Sequence, residues 1–391
     1  MTPERQNLCQ ATIDMPPKKQ TPVRLTYSQV AAFRMAAHHL MGTSPGDAPL
    51  ICSHVCGIQA QVMSAAELQL WARNHDIKRT EIRDALNKDR SLIKTSLMRQ
   101  TLHLIPAAEF RLYITALKSS RLAAVWRGMS KFRITPRERD ALSDSIVDAL
   151  GDGPLTKGEL EKLIRPKASK SVKAWMARIW SPLRWPIIEG RICYGPDRGK
   201  EITYVRSDHW LPKQTEMDVE KAQRILIHRY LGSYGPATPR DFSKWSGISM
   251  KELQPVWDSM PHELTEVSVD GQRAWIPVSS VKRVAEARSN EPALRLLPSF
   301  DPYLLAHASK KHLVVDEHYK KIYRQAGWIT PVVLLDGRVA GIWETSRSGP
   351  GITVNVDLFE TLSRPLRAKL EEEAANLGQF LGTSAILKIA K

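Results

Sequence analysis

The sequence predicts an α+β protein in which helical clusters closed by hairpins recur along the chain and a strand-rich segment follows them. Three observations predict it. Apolar residues fall at helical spacing in short blocks with capping signals; strand-like runs meet in pairs at glycine-containing turns; and strand patterns dominate after residue 289. A chain of 391 residues also exceeds the roughly 250 to 300 that one core usually organises, so several domains are expected.

The clearest unit lies in the middle. Residues 137–150 (RERDALSDSIVDAL) carry a helical apolar stripe, GDGP at 151–154 stops it, and Thr156 opens a second helix with Glu159 at the capping-box position. Residues 171–180 form an amphipathic third helix, and PIIEGRICYGPDRGKEITYV reads as two strands around a turn. Helix, helix, helix, hairpin is the order of a winged helix. The same grammar returns at 219–231, 238–245 and 249–260, closed by a hairpin at 264–278 that pivots on Asp270-Gly271, the strongest two-residue hairpin signal. A looser copy runs through 28–40, 67–74, 81–86 and 96–105. Three tandem winged-helix modules are therefore expected at 25–136, 137–217 and 218–288. A leader at 1–24 reads as disordered, and a C-terminal β-rich domain occupies 289–391, with a helix at 364–377 and a last strand at 385–389.

Charge points to the partner. Lys and Arg total 57 against 41 Asp and Glu, a formal net charge of +16. From Lys167 to Arg206 nine cations face three acids, with Trp175, Trp180 and Trp185 interleaved. Such a stripe suits a phosphate backbone, with Lys170, Lys173, Arg178, Arg198 and Lys200 as candidate DNA contacts. Trp71, Trp126, Trp175 and Trp180, at helical spacing, read as core rather than as base-stacking platforms. No apolar run reaches membrane-span length and the N-terminus lacks the apolar centre of a secretory signal, so a cytoplasmic chain that binds no membrane is expected. Four cysteines make no disulfide framework. Cys52-Ser-His54-Val-Cys56 lacks a second knuckle for zinc, so buried thiols are expected. Phosphate-loop and HExxH signatures are missing from the sequence, as are oligomerisation heptads; the expectation is a monomer needing no cofactor or metal.

Chemistry concentrates in GIQAQVMSAAELQLWAR, residues 57–73, where Gln59 and Gln61 flank one small residue just ahead of a helix. Residues two apart do not share a helix face, so a cooperating pair implies a turn or helix start. The pair either caps a helix terminus or works on a substrate. In Arg99-Gln-Thr101-Leu-His103-Leu polar and apolar residues alternate, placing Arg99, Thr101 and His103 on one strand face, either solvated or turned to a ligand. In Phe300-Asp301-Pro-Tyr303 the acid either fixes a turn ahead of Pro302 or faces a ligand.

GIQAQ with SAAELQLWAR, TLHLIPAAEFR at 101–111 and LLPSFDPYLLAH at 296–307, in this order, resemble the signature segments of the AlkZ/YcaQ-type winged-helix DNA glycosylases. The resemblance runs from about residue 25 to the C-terminus. It implies a monofunctional glycosylase whose three winged helices and β-domain curve into a C around double-stranded DNA. It also implies cleavage of the N-glycosidic bond of bulky alkylated purines, cross-linked ones included. The family's Gln-hydrophobic-Gln element falls on Gln59, Ala60 and Gln61; a sister branch carries Asp at the second polar position, so this chain is similar to the AlkZ-like branch. The resemblance places Arg99, Thr101 and His103 near the catalytic element, with His103 toward a phosphate or the lesion, and Asp301 near the channel.

Amides are weak bases, which the expected chemistry tolerates. An N7- or N3-alkylated purine is cationic and leaves readily, and a water held by amide carbonyls can then add to an oxocarbenium-like sugar. Uncharged bases such as uracil should be poor substrates, because no acid is identified to protonate them. A bulky adduct fits hydrolysis in an open channel better than flipping into a snug pocket. The runner-up is a non-enzymatic winged-helix regulator or structural DNA binder; a third possibility recognises lesions without cutting them.

Overall fold

A computed structural model describes residues 22–42, 46–178 and 182–390, of Arg178 and Ser348 the backbone only. Most of the expected leader, Cys9 and the end of the helix expected at 171–180, Trp180 included, lie outside the described residues. The architecture is mixed helix and strand, with three three-stranded sheets and one of five strands.

Strand β1 (Val23–Leu25) leads into the helix Tyr27–Ala37, whose N-terminus is closed by a Thr26–Gln29 capping box. The first sheet holds β2 (Ile58–Gln59), β3 (Leu92–Ser96) and β4 (Leu102–Pro106) in the order β2-β4-β3. The helices Ala48–His54, Met63–Trp71 and Arg79–Asn87 precede its hairpin. The second sheet, β5 (Leu155–Thr156), β6 (Ile192–Tyr194) and β7 (Thr203–Arg206), has the order β5-β7-β6 and follows the helix Pro136–Ala149. Between β5 and β6 lie the helices Lys157–Ile164 and Lys170–Arg178. The segment PII, expected in a strand, belongs instead to a short helix, Arg184–Ile188, whose Trp185, Ile187 and Ile188 fill the local core. Burial on several sides selects the helix there; a strand would show only alternate residues to that core.

The third sheet is the hairpin β8 (Leu264–Val269) and β9 (Gln272–Pro277), turning at Asp270 (φ 44°) and Gly271 (φ 85°) as the sequence requires. Strand β1 adds to it in parallel, Val23 opposite Val267 and Leu25 opposite Val269. The leader boundary set at residue 25 is thereby corrected, since Val23 and Arg24 already pair within a sheet. Their chain-distant partner explains why local composition hides this. The last sheet runs in sequential order through β10 (Leu294–Leu297), β11 (Val332–Leu335), β12 (Arg338–Ser348), β13 (Gly351–Leu358) and β14 (Ala385–Ile389), with the helix Arg364–Leu381 packed on it.

The cores ignore the sequence boundaries. Ile58, Leu70 and Trp71 share one apolar cluster with Leu296, Val333 and Val354 of the five-stranded sheet. The long helix Phe110–Ser130, which local spacing did not single out, packs through Tyr113 and Leu117 in a second cluster with Leu226 and Tyr230 of the helix Val219–Tyr234. The neighbourhood of Gln59 is thus clamped from both ends of the chain.

Candidate active site

Cys56 (φ 55°) and Gly57 (φ 97°) turn the chain sharply into β2. A side chain at Gly57 would meet Ile105 Cγ2 at 3.1 Å, so both the backbone conformation and the close approach of β4 demand glycine. In β2, Gln59 lies opposite His103 of β4, and Ala60 N–H extends the pairing by donating to Leu102 O at 2.7 Å. Gln61 lies beyond β2 at a bend, so strand alternation does not set its direction; its contacts do. Gln59 is buried and Gln61 is exposed beside it.

One hairpin turn orients both amides. Between β3 and β4, Arg99 (φ 52°) and Gln100 (φ 63°) are left-handed, and Leu97 N–H donates to Thr101 O at 2.9 Å. Arg99 Nη2 donates to Gln59 Oε1 at 3.0 Å, while Nη1 donates to Trp245 O at 2.7 Å. Leu102 N–H donates to Gln61 Oε1 at 3.4 Å. Trp245 O belongs to the last turn of the helix Pro239–Ser246, which ends at Gly247 (φ 83°) against the Arg99 backbone; a Cβ there would lie 3.3 Å from Arg99 N. The Gln59 amide is therefore tied to a helix about 180 residues away in sequence through one guanidinium.

The expected single polar strand face is corrected here. Thr101 and Arg99 lie in the turn, and only His103 is in the strand. Thr101 Oγ1 donates to Met98 O at 3.1 Å, closing the turn rather than facing outward. His103 is buried and its Nδ1 meets Thr101 O at 2.9 Å; a carbonyl only accepts, so Nδ1 carries the proton. Burial, helped by the nearby Arg99 charge, lowers its pKa to about 3, so the imidazole is neutral at neutral pH. Burial also draws Arg99 down to about 10, still fully charged near neutrality.

Asp301 lies on no ligand-facing surface. Its carboxylate is fully buried, accepting from Arg73 Nη1 at 2.8 Å and Nη2 at 2.9 Å, and from Tyr303 N–H at 2.9 Å. A carboxylate committed to a buried fork cannot reach DNA and would repel phosphate, so the channel placement is corrected to an anchoring one. Of the basic stripe, Lys170 and Lys200 are exposed and Lys173 half-buried, its Nζ donating to Pro166 O at 3.4 Å. Arg198 is exposed but bound to Glu159 Oε1 at 2.7 Å and Pro154 O at 2.8 Å. Nothing in the structure bears on the Arg178 side chain.

Sequence spacing missed three contributors. Gln69 Nε2 donates to both Gln59 O, at 3.1 Å, and Ser299 O, at 3.2 Å, joining β2 to the loop after β10. Arg121 Nη2 donates to Ser96 Oγ at 3.0 Å and Arg184 Nη2 to Gln100 Oε1 at 2.9 Å, adding cations around the turn. Gln69 lies within the segment 57–73, eight residues past Gln61, but its spacing did not mark it; the two arginines carried no local signal. The thiol expectation holds for the described residues, Cys52, Cys56 and Cys193 being buried, with burial pushing Cys56 up to about 12; of the tryptophans, Trp71 and Trp175 are core and Trp126 is half-buried against the same cluster as Trp175.

A sheet edge presenting two oriented amides among cations, in a basic chain, defines a polar site suited to a charged polymer. The family model "DNA glycosylase AlkZ-like" matches residues 52–380, and the chain belongs to that family of enzymes acting on N-glycosyl bonds. This sets aside the non-enzymatic regulator. The chain is 33% identical over 380 residues to an interstrand DNA cross-link repair glycosylase of Streptomyces sahachiroi, covering 93% of this chain and 99% of that protein. It also superposes on the solved structure of the Streptomyces sahachiroi DNA glycosylase AlkZ with a TM-score of 0.82 and 31% identity, over 94% of this chain and 100% of the other. Among the described residues, no helix is long and apolar enough to cross a membrane.

Proposed function

We propose that this glycosylase hydrolyses the N-glycosidic bond of N7- or N3-alkylated purines in double-stranded DNA, bulky and cross-linked adducts included. The name of the Streptomyces sahachiroi relative supports cross-links as substrates. In this reading three winged-helix modules and the β-rich domain curve around the duplex, and Lys170, Lys173, Arg178, Arg198 and Lys200 bind phosphates. Arg198 must exchange Glu159 for a phosphate to do so.

The observation that supports the chemistry is that one hairpin, through Arg99 and Leu102, holds the Oε1 atoms of both Gln59 and Gln61. Each amide oxygen accepts a bond from the chain and keeps a second lone pair. Water held by those lone pairs lies where the departing purine leaves positive charge on the sugar, and the same dipoles stabilise that charge without reorganising. Proton abstraction is secondary because the leaving base is already cationic. Arg99 positions Gln59 and also repels a cationic adduct that strays toward the turn.

The test is a duplex carrying one N7-methylguanine, followed by hot-base cleavage of abasic sites. Wild type should cut. The Gln59→Ala, Gln61→Ala double variant should lose at least about 100-fold in rate while still retarding the duplex in a gel. Equal cutting by the variant places the chemistry elsewhere. Release of a single strand from a cross-linked duplex on a denaturing gel tests the cross-link arm.

A further inference from the structure

We infer that the cleft between the helix Met63–Trp71 and the five-stranded sheet receives the planar, apolar part of a bulky adduct on the purine. This deepens the proposed function and rests on that reading of Gln59 and Gln61.

Two clefts open near the amide pair without being lined by it, one at the Arg99 turn and one at Val62, and their chemistry differs. The larger, about 810 Å³, opens on the Arg99 side between Arg121, Arg127 and Glu252, and is charged. The other, about 690 Å³, begins at Val62, the residue after Gln61. Val62, Leu68, Phe300, Trp328, Trp343 and Val356 give it an apolar majority, and Arg324, Glu344, Asp357 and Lys388 also line it. That size and lining suit a small aromatic ligand rather than a phosphate.

A chain of linked features shows a built cleft. Trp328 is 46% exposed, an indole face held in water at the mouth, with Phe300 edge-on at 5.0 Å and 77°. Phe300 adopts φ 62°, a conformation a bulky residue rarely takes, so the surrounding structure must enforce it. The enforcement is visible: the next residue, Asp301, is locked by the Arg73 fork, and Ser299 O is held by Gln69. Because the same Gln69 amide also holds Gln59 O, the cleft wall and the amide strand are fixed to each other. An aromatic tail stacked on Trp328 would keep its purine beside Gln61, giving bulky lesions a binding contribution that a methyl lesion lacks.

The test compares two duplexes that differ only at one guanine, N7-methyl against N7-(2-naphthylmethyl). Wild type is set beside Trp328→Ala, which removes the platform, and Thr345→Trp, which fills the cleft from an exposed strand position. The ratio of kcat/KM for naphthylmethyl over methyl should fall at least tenfold in both variants. An unchanged ratio overturns the inference, including the case in which both rates fall together because the fold is disturbed. A second measurement titrates free 7-(2-naphthylmethyl)guanine and reads the fluorescence quenched in wild type but not in Trp328→Ala. Quenching without excision of either lesion upholds the cleft and refutes the glycosidic chemistry assigned to the amides. Excision with an unchanged ratio and no quenching refutes the cleft alone.

Discussion

Replacing Asp301 by alanine separates an anchoring carboxylate from a DNA-facing one. The Arg73–Asp301 pair has no exposed side-chain surface on either partner and is bidentate at 2.8 and 2.9 Å. Removing one partner strands a buried guanidinium, which typically costs about 3–5 kcal/mol. Loss of the acceptor for Tyr303 N–H, at 2.9 Å, adds about 1 kcal/mol. The total, about 4–6 kcal/mol, is a large share of the roughly 5–15 kcal/mol that holds a domain folded. Urea unfolding followed by tryptophan fluorescence should show the transition that includes the first helical cluster and the five-stranded sheet moving to much lower urea. A double change, Arg73→Met with Asp301→Leu, should recover most of that loss, because an apolar pair no longer strands a charge. A midpoint unchanged in Asp301→Ala, together with tighter DNA binding, would refute the anchoring argument and restore the carboxylate to the channel.

Further outcomes follow from the same geometry. Arg99→Met should leave Gln59 Oε1 and Trp245 O without their donor and slow excision of N7-methylguanine about 10- to 100-fold, with the Gln59 contribution lost in a double-mutant comparison. His103 is held neutral in the fold, with its pKa lowered to about 3 against an ordinary value near 6.5. The unfolded chain takes up a proton that the folded one excludes, so stability is full above about pH 6.5 and falls as pH drops toward 3. This group alone should remove about 3 kcal/mol between pH 7 and pH 4, and His103→Gln should unfold with a shallower pH slope. The excision profile should carry no inflection from His103 between pH 5 and 8. Lys170→Ala and Lys200→Ala should each reduce the slope of log K against log salt by about one, whereas Arg198→Ala, already paired with Glu159, should reduce it less.

The orientation of the amides bears on how neutral groups would serve the proposed reaction. Neither Gln59 nor Gln61 is free: a cation holds one oxygen and a main-chain N–H the other. Such holding fixes the dipoles before the sugar becomes charged, and preorganisation of this kind is where electrostatic catalysis gains over water. In the proposed mechanism the cost would be that Arg99 draws on the same oxygen that is to hold solvent. Gln61, exposed and held by a longer bond, is the more adjustable member of the pair.

Local grammar was enough for much of the molecule. Thr156 with Glu159, Thr238 with Asp241, and Asp270-Gly271 each dictate structure through contacts within a few residues, so their helices and hairpin are readable from the sequence. The strand-rich character of the C-terminal part was legible from the sequence as well. What the sequence could not carry is any partner chosen across distance: β1 on β8, Arg99 on Trp245 O, Arg73 on Asp301, and Gln69 between β2 and Ser299. Those choices arise from burial, because a charge or amide removed from water must find a complement wherever the packed chain supplies one, and spacing along the sequence does not record where that is.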